Sequence, residues 1–420
     1  MRNPLNDFRS TNSGAHGLMQ AANSAETGNH SSLRYQNLAA VLRLIYANRP
    51  ISRVELSRIT GLNKATVSSL VSELVDNGFV RFIGEGRSDR AGRREVLIDL
   101  EPRKASAVSV EVGVGTISTI AADFAGEVLW RSDEDFVLSD SPEKVILKAA
   151  QNAQKALMHA EATNGPVAAL SFAVPGAVDG QHGTILFAPN LGWRNVPVFQ
   201  KLRTRFVQPL VVENEASLAA LGEHFFGAAS GFNEVLYISA GIGLGGGLIV
   251  GGEIYRGASG IAGEFGHMTV DIKGKACTCG KRGCWETIAN ESALFEEFRR
   301  LAPKNSRFPK APLKMIDAVL LSAVKKQTHG TAALKLIANA LAVGIDSLAK
   351  SFDPELIVLG GPISSLHDLL IPMIRDELAK RTIFGLDHSV EIRPAAFGAD
   401  AALNGGIAAI LKSLLRSPKF

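Results

Sequence analysis

Two stretches more than a hundred residues apart repeat one pattern: "ASAVSVEVGVGTISTIAADFAGEVLW" over 105–130 and "NEVLYISAGIGLGGGLIVGGEIY" over 233–255. Each reads as strand, glycine turn, strand, turn, strand, with helical stretches following. A strand unit of this kind has to cover an apolar face, so two of them predict a duplicated α/β fold with two lobes and a cleft between. Gly241, Gly243 and Gly246 formally satisfy G-x-G-x-x-G. A dinucleotide site needs a helix after those glycines, whereas Leu248-Ile249-Val250 continue as strand and Gly251-Gly252 as a turn. That excludes the Rossmann reading and leaves a glycine hairpin facing a phosphate or an interlobe cleft.

The first hundred residues have a different texture. Residues 1–30 are polar and without hydrophobic period, as expected of a flexible arm. Helical spacing begins near Leu33, with Leu38, Val41, Leu42, Ile45 and Tyr46 on one face, and stops before Asn48-Arg49-Pro50. In "ISRVELSRITGLNKATVSSLVSELVDNGFV", Ser52 and Glu55 form a capping box opening a short helix with Val54, Leu56 and Ile59 inward. Gly61 supplies a tight turn. Asn63 then caps a second helix, with Val67, Leu70, Val71 and Leu74 inward, ending at Asn77-Gly78. This is a helix-turn-helix pattern, and its second helix turns Lys64, Thr66, Ser68, Ser69 and Ser72 outward, short polar groups suited to phosphates and base edges. Strand-like alternation over Phe79–Gly84 and Glu95–Leu100 flanks "EGRSDRAGRR", a wing in which Arg87, Arg90, Arg93 and Arg94 can reach DNA. Charge agrees: the whole net charge of +4 resides between Ser31 and Leu100, where eleven Lys/Arg face seven Asp/Glu. The expected boundaries are an arm over 1–30, a winged helix-turn-helix over 31–100 and a two-lobed sensing part over 101–420.

All three cysteines, Cys277, Cys279 and Cys284, fall within "GHMTVDIKGKACTCGKRGCWE", ten residues and fewer than twenty after His267. An odd, clustered count argues against a secreted disulfide framework and for a reducing compartment. With a hydrophobic fraction of 46%, no signal-peptide-like start and no apolar run near the roughly 18 residues of a membrane span, a cytoplasmic globular protein without membrane partners is expected. Three sulfurs and one imidazole at this spacing make a Cys₃His set, enough for a structural Zn²⁺ over 267–284.

The winged helix-turn-helix followed by "GEFGHMTV" and "CTCGKRGCWE" resembles the ROK family of bacterial repressors, open reading frames and sugar kinases, and the resemblance runs from about Leu33 to the C-terminus. "PGAVDG", "APNLGW", "VENEASLAALGE" and "IVLGGPI" are similar to further family stretches. The resemblance implies an actin-like, ribonuclease-H-like sugar kinase fold behind the helix-turn-helix. It also implies a sugar site of Asn190, Asn214, Glu215, Glu264, His267 and Glu286. Carboxylates and amides make the directional hydrogen bonds that a polyol requires.

Two departures separate this chain from the kinase pattern. "EVGVGT" places Glu111 where kinases of the family carry an aspartate and Val114 where they carry a second glycine; Glu215 stands at their catalytic aspartate. One extra methylene moves a carboxylate far enough to misplace a base. The Asn-Glu-Ala version is similar to xylose repressors within the family. A sugar-responsive regulator of carbohydrate-use genes is therefore expected, without enzymatic activity. It would hold a double-stranded operator as a homodimer or higher homo-oligomer and be released by xylose or another aldose. The alternatives are an ATP-dependent sugar kinase and a regulator controlled by a protein partner.

Overall fold

The computed structural model describes residues 30–85, 95–381 and 390–418. The arm over 1–29 and the wing residues Arg87, Arg90, Arg93 and Arg94 lie outside them.

The chain opens with α1 (His30–Asn48), β1 (Ile51–Ser52), α2 (Arg53–Thr60), α3 (Lys64–Asp76), β2 (Val80–Glu85) and β3 (Val96–Leu100). The capping residues act as their types demand. Ser52 Oγ accepts from the Glu55 amide at 3.2 Å and Asn63 Oδ1 from the Thr66 amide at 2.8 Å, while Gly61 turns at φ 70°. The α2 face departs from expectation: Leu56 is buried, but Val54 and Ile59 are 47% and 40% exposed. Val54 and Leu56 are two positions apart, hence about 200° around the helix, and cannot both point inward. β1, too short to show a period, joins β2 and β3 in a sheet of order β1-β3-β2.

Behind this region lies a mixed α/β body with two five-stranded sheets. The first comprises β4 (Ser106–Val112), β5 (Thr116–Asp123), β6 (Val128–Asp135), β7 (Val167–Val174) and β11 (Leu210–Asn214), in order β11-β7-β4-β5-β6. Helix α4 (Pro142–Thr163) covers one face. Between β7 and β11 come a small sheet of β8 (Ala177–Asp179), β9 (Thr184–Ala188) and β10 (Trp193–Val196), then α5 (Val198–Arg203). Helix α6 (Glu215–Phe226) leads to the second sheet: β12 (Val235–Ala240), β13 (Leu244–Val250), β14 (Glu253–Ile254), β15 (Leu356–Gly360) and β16 (Glu391–Pro394), in order β14-β13-β12-β15-β16. Both sheets are an antiparallel meander of three strands whose first strand pairs in parallel with a later one, which pairs in parallel with the last. The duplicated units thus fold alike, and β13 after the glycines removes the Rossmann alternative.

Helices α7 (Glu291–Leu301), α8 (Pro312–Val324), α9 (Thr328–Phe352) and α10 (His367–Ala379) build the second lobe, and α11 (Ala401–Arg416) closes the chain. Among the described residues α9 alone is long and apolar enough to cross a membrane, yet Leu334, Ile337, Leu341, Ile345 and Leu348 pack it into the second-lobe core. Helix α11 lies against α6 and the first sheet so closely that a Cβ on Gly405 would sit 1.8 Å from the Leu218 carbonyl oxygen.

Candidate functional site

The cysteine segment is a knuckle folded by its glycines. Gly283 adopts φ 72°, and a Cβ there would lie 1.6 Å from the Asp271 carbonyl oxygen, so only glycine permits the approach. Antiparallel bridges Thr269↔Cys284 and Ala276↔Arg282 hold the two sides together. The ligand atoms of His267, Cys277, Cys279 and Cys284 all lie within 4.8 Å of one another. Cys279 Sγ is 3.7 Å from Cys284 Sγ, and Cys277 Sγ is 3.6 Å from His267 Nδ1. A tetrahedron built on ordinary Zn–S and Zn–N bonds has edges of roughly 3.8 Å between sulfurs and roughly 3.6 Å between sulfur and nitrogen. The cluster can therefore hold a metal ion of tetrahedral preference. Burial and a hydrogen bond to Glu286 push the Cys277 thiol up, a proton that a bound cation would displace.

One residue fixes this knuckle to the core. Trp285 is wholly buried, donates from Nε1 to the Ala340 carbonyl at 2.7 Å and lies flat on α9, where a Cβ on Gly344 would fall 2.1 Å from the ring. Its neighbour Glu286 consequently faces the cleft. Glu286 Oε1 accepts from Cys277 Sγ at 2.8 Å and lies 3.5 Å from His267 Nδ1; His267 Nε2 lies 3.8 Å from Glu264 Oε2. The imidazole thus turns Nδ1 to the sulfurs and Nε2 toward the Glu264 carboxylate, the side on which an outer partner would orient a ligating ring.

The other candidates meet this edge from the first lobe and the glycine turn. A Cβ on Gly243 would lie 3.2 Å from Glu286 Oε2 and 3.4 Å from Asn190 Nδ2, which brings Asn190 beside Glu286. Asn214 is half-buried and largely engaged: Oδ1 caps α6 at the Ser217 amide (2.9 Å) and Nδ2 donates to the Gly176 carbonyl (2.8 Å). One amide N–H remains for a ligand. Glu215 begins α6, and burial, then the charge of Glu264, push it up to about 7. Glu264 is also raised, by burial first. Glu111, at the end of β4, is pushed up to about 8 by burial, with Glu215 and Asp400 adding and Arg131 opposing. Asn190, Glu264, His267 and Glu286 are thus brought together, with Glu215 close enough to feel the charge of Glu264 and Asn214 next to it at the start of α6.

Three participants escaped the sequence reading. Glu213, buried on β11, pairs with Arg256 Nε at 2.5 Å and accepts from the Asn214 amide at 3.0 Å, holding the asparagine's backbone. Glu213 was findable as the neighbour of Asn214; no spacing rule links it to Arg256, forty-three residues away. Glu291 places a buried carboxylate by the second glycine turn, Oε1 lying 3.7 Å from a Cβ on Gly241, with no hydrogen-bonding or cationic partner among the described residues. Trp285 is the third.

On α3, Lys64 and Ser69 are exposed and Thr66 and Ser68 half-buried. Ser69 Oγ accepts from Arg34 at 3.2 Å, and Arg34 also pairs with Glu73 at 2.5 Å. The outward face of α3 is thus polar and reachable.

A kinase-like two-lobed body with a helix-turn-helix region in front is the build of a regulator that couples a small ligand to DNA. Comparison with known proteins agrees. A ROK family model matches residues 107–413 and a MarR family model residues 39–94. The chain belongs to the ROK family. A putative xylose repressor from Caldicellulosiruptor sp. (strain Rt8B.4) is 34% identical over 398 residues, spanning 94% of this chain and all of the relative. A crystal structure of a ROK family transcriptional regulator, homolog of the E. coli MLC protein, has the same fold at TM-score 0.76, with 23% identity over 92% of this chain and 97% of that one. A ROK family glucokinase from Streptomyces griseus, in complex with glucose and AMPPNP, is 29% identical at TM-score 0.64 over 72% of this chain and 98% of its own. Across its length, then, the protein is most similar to sugar-responsive transcriptional repressors.

Proposed function

We propose that this protein holds a double-stranded operator as a homodimer or higher homo-oligomer and releases it when an aldose, D-xylose foremost, enters the cleft between the lobes. The observation that carries this reading is the convergence of Asn190, Glu264, His267 and Glu286 on one edge beside the metal-competent cluster. Asn190, Asn214, Glu215, Glu264, His267 and Glu286 take the sugar hydroxyls; Lys64, Thr66, Ser68 and Ser69 face the DNA, with Arg87, Arg90, Arg93 and Arg94 on the wing. A structural Zn²⁺ on His267, Cys277, Cys279 and Cys284 braces the edge. Two observations favour a sensor over a kinase. Glu111 stands at the end of β4 where kinases of the family carry an aspartate, and its extra methylene displaces the carboxyl that would help place a magnesium ion. Glu291 sets a buried carboxyl group without a cationic partner among the described residues by the second glycine turn, where it offers nothing to balance a phosphate's charge.

The test is operator release, measured by anisotropy of a duplex selected by the protein from a random pool, with D-xylose and other aldoses titrated in. Release without ATP turnover is expected, and Glu264→Ala should leave DNA held at every sugar concentration. Robust sugar phosphorylation by the unsubstituted protein would replace the repressor by the kinase. Elemental analysis should find one zinc per chain, and Cys279→Ser should remove it and lower stability by about 4 kcal/mol or more. An equally stable protein without metal would refute the zinc assignment.

A further inference from the structure

Sugar site and DNA-binding helices lie in different parts of the chain, and one element touches both. Helix α6 begins at Glu215 in the cleft and ends at Phe225-Phe226, roughly 16 Å away at helical rise. There Phe225 stands 5.0 Å and Phe226 6.5 Å, between ring centroids, from Tyr46 of α1. Phe225 and Phe226 cross edge to face at 4.8 Å, and Phe226 meets Phe397 at 6.4 Å. Arg49 covers Tyr46 at 4.4 Å and donates to the Ala125 carbonyl at 2.8 Å. Tyr46 belongs to the helix that packs against α3 in a common core, so displacing Tyr46 displaces the DNA-facing helix.

Two flanks of α6 are lined by small residues, although Leu218 and Leu221 are also buried on it. Its Ala216 and Ala220 lie against the glycine tract of β13, where a Cβ on Gly247 would come within 2.6 Å of both the Ala216 carbonyl oxygen and Ala220 Cβ. On the other flank Gly222 meets Gly405 of α11, backbone to backbone. Small-residue faces without interlocking side chains permit shear along a helix axis. Near the far end, the Glu223 carboxylate accepts from the amides of Ala228, Ala396 and Phe397 at 2.9, 3.0 and 3.0 Å, which ties the Phe397 loop to α6. The joint also holds an unexplained group. The Tyr46 hydroxyl is buried without a hydrogen-bond partner, a state that costs free energy and that another arrangement of the joint would relieve.

We infer that α6 is a sliding rod that reports occupancy of the cleft to the DNA-binding helices, and that Tyr46, Phe225 and Phe226 form the joint through which it acts. The inference rests on the repressor reading for its ligands. Its test compares operator Kd with and without saturating D-xylose for the full chain and for Tyr46→Ala. The unsubstituted protein should show a ratio within about 5- to 150-fold; Tyr46→Ala should bring it near 1, with sugar and operator each still bound. Phe226→Leu, which keeps an apolar side chain of fair size, serves where Tyr46→Ala does not fold. A wild-type ratio in a folded variant overturns the rod while leaving the repressor reading intact. If D-xylose leaves operator binding of the unsubstituted protein unchanged, the proposed inducer falls instead, and Tyr46→Phe decides for the joint in the absence of sugar. Relief of the orphaned hydroxyl should then move operator Kd by about five-fold or more, although Tyr46 faces no DNA; an unmoved Kd overturns the rod.

Discussion

The two five-stranded sheets share one pattern of connections and keep different company. The second sheet is covered on one face by helices of its own lobe, in a core running from Leu236 and Trp285 through α9 to Ile374, and on the other by α6 and α11, against Val235, Tyr237 and Val358; it also carries the metal-competent knuckle. The first sheet has such a core on its α4 face only. On its other face Ala107, Ile120, Phe124 and Ala169 join Leu403, Ile407 and Leu411 of α11 and Leu38, Leu42, Ile45 and Leu70 of the helix-turn-helix region in one continuous cluster. Lys104 adds to that seam by donating to the Asn77 carbonyl at 2.9 Å, with Phe79 edge-on to Phe124 at 5.9 Å. Duplication thus supplied two similar frames, of which the first alone, among the described residues, shares a core cluster with the DNA-binding helices. Any displacement of the first lobe is felt by those helices directly, whereas the second lobe acts on them through what lies between.

The strongest way to break this contrast is Leu411→Ala. Leu411 is 1% exposed in the shared cluster, and its truncation should cost about 2–5 kcal/mol. Hydrogen exchange should quicken together in α1, α3 and β4 while α9 keeps its protection; quickening in α11 alone would mean that the seam is not one cooperative unit. A smaller effect, about 1–3 kcal/mol, is expected of Gly344→Ala, whose methyl group collides with Trp285. This damage should stay in the second lobe, lowering metal retention and sugar affinity with operator binding in the absence of sugar preserved. Loss of operator binding would contradict the independence of that lobe. A further effect concerns pH. In the unfolded chain Glu111 ionises near 4.5, and in the folded protein near 8, chiefly through burial. The folded state therefore binds more protons between those values. The stability Glu111 contributes is full below pH 4.5 and is lost as pH rises through about 8. Glu111→Gln should flatten denaturant midpoints measured from pH 5 to 8; an unchanged slope would mean that the carboxyl ionises normally.

Local rules carried much of this architecture. Ser52, Gly61 and Asn63 announce the helix-turn-helix by capping and turn chemistry, which depends on a few adjacent residues. The repeated strand–glycine–strand units disclose both sheets through short apolar runs bounded by glycine turns, the mark of strands that, like β4 and β12, are buried on both faces. The metal cluster is legible since all four ligands fall in one short segment. What escaped depends on distance or on competition between faces. Val54 and Ile59 look apolar enough for a core, yet Val54 lies on the side of α2 opposite Leu56, and Ile59, a turn beyond Leu56, falls in the last turn of an eight-residue helix and stays 40% exposed. The partners Glu213 and Arg256 meet only through the fold. The seam between α1, α11 and the first sheet draws on residues more than three hundred positions apart, as does the Tyr35 hydroxyl donating to the Pro418 carbonyl.

Three consecutive residues, Cys284, Trp285 and Glu286, face the metal cluster, the second-lobe core and the cleft in turn. For anyone wishing to retarget this protein to another inducer, that adjacency marks where not to begin. A library at Glu286 would sample variants whose metal retention and folding change along with their selectivity, so few would report on recognition alone. Asn190 offers the cleaner handle. It is exposed on a short turn carried by β9 and β10, its side chain approaches the Gly243 turn, and neither the metal cluster nor a buried core depends on it. Selectivity is best evolved from that lip inward.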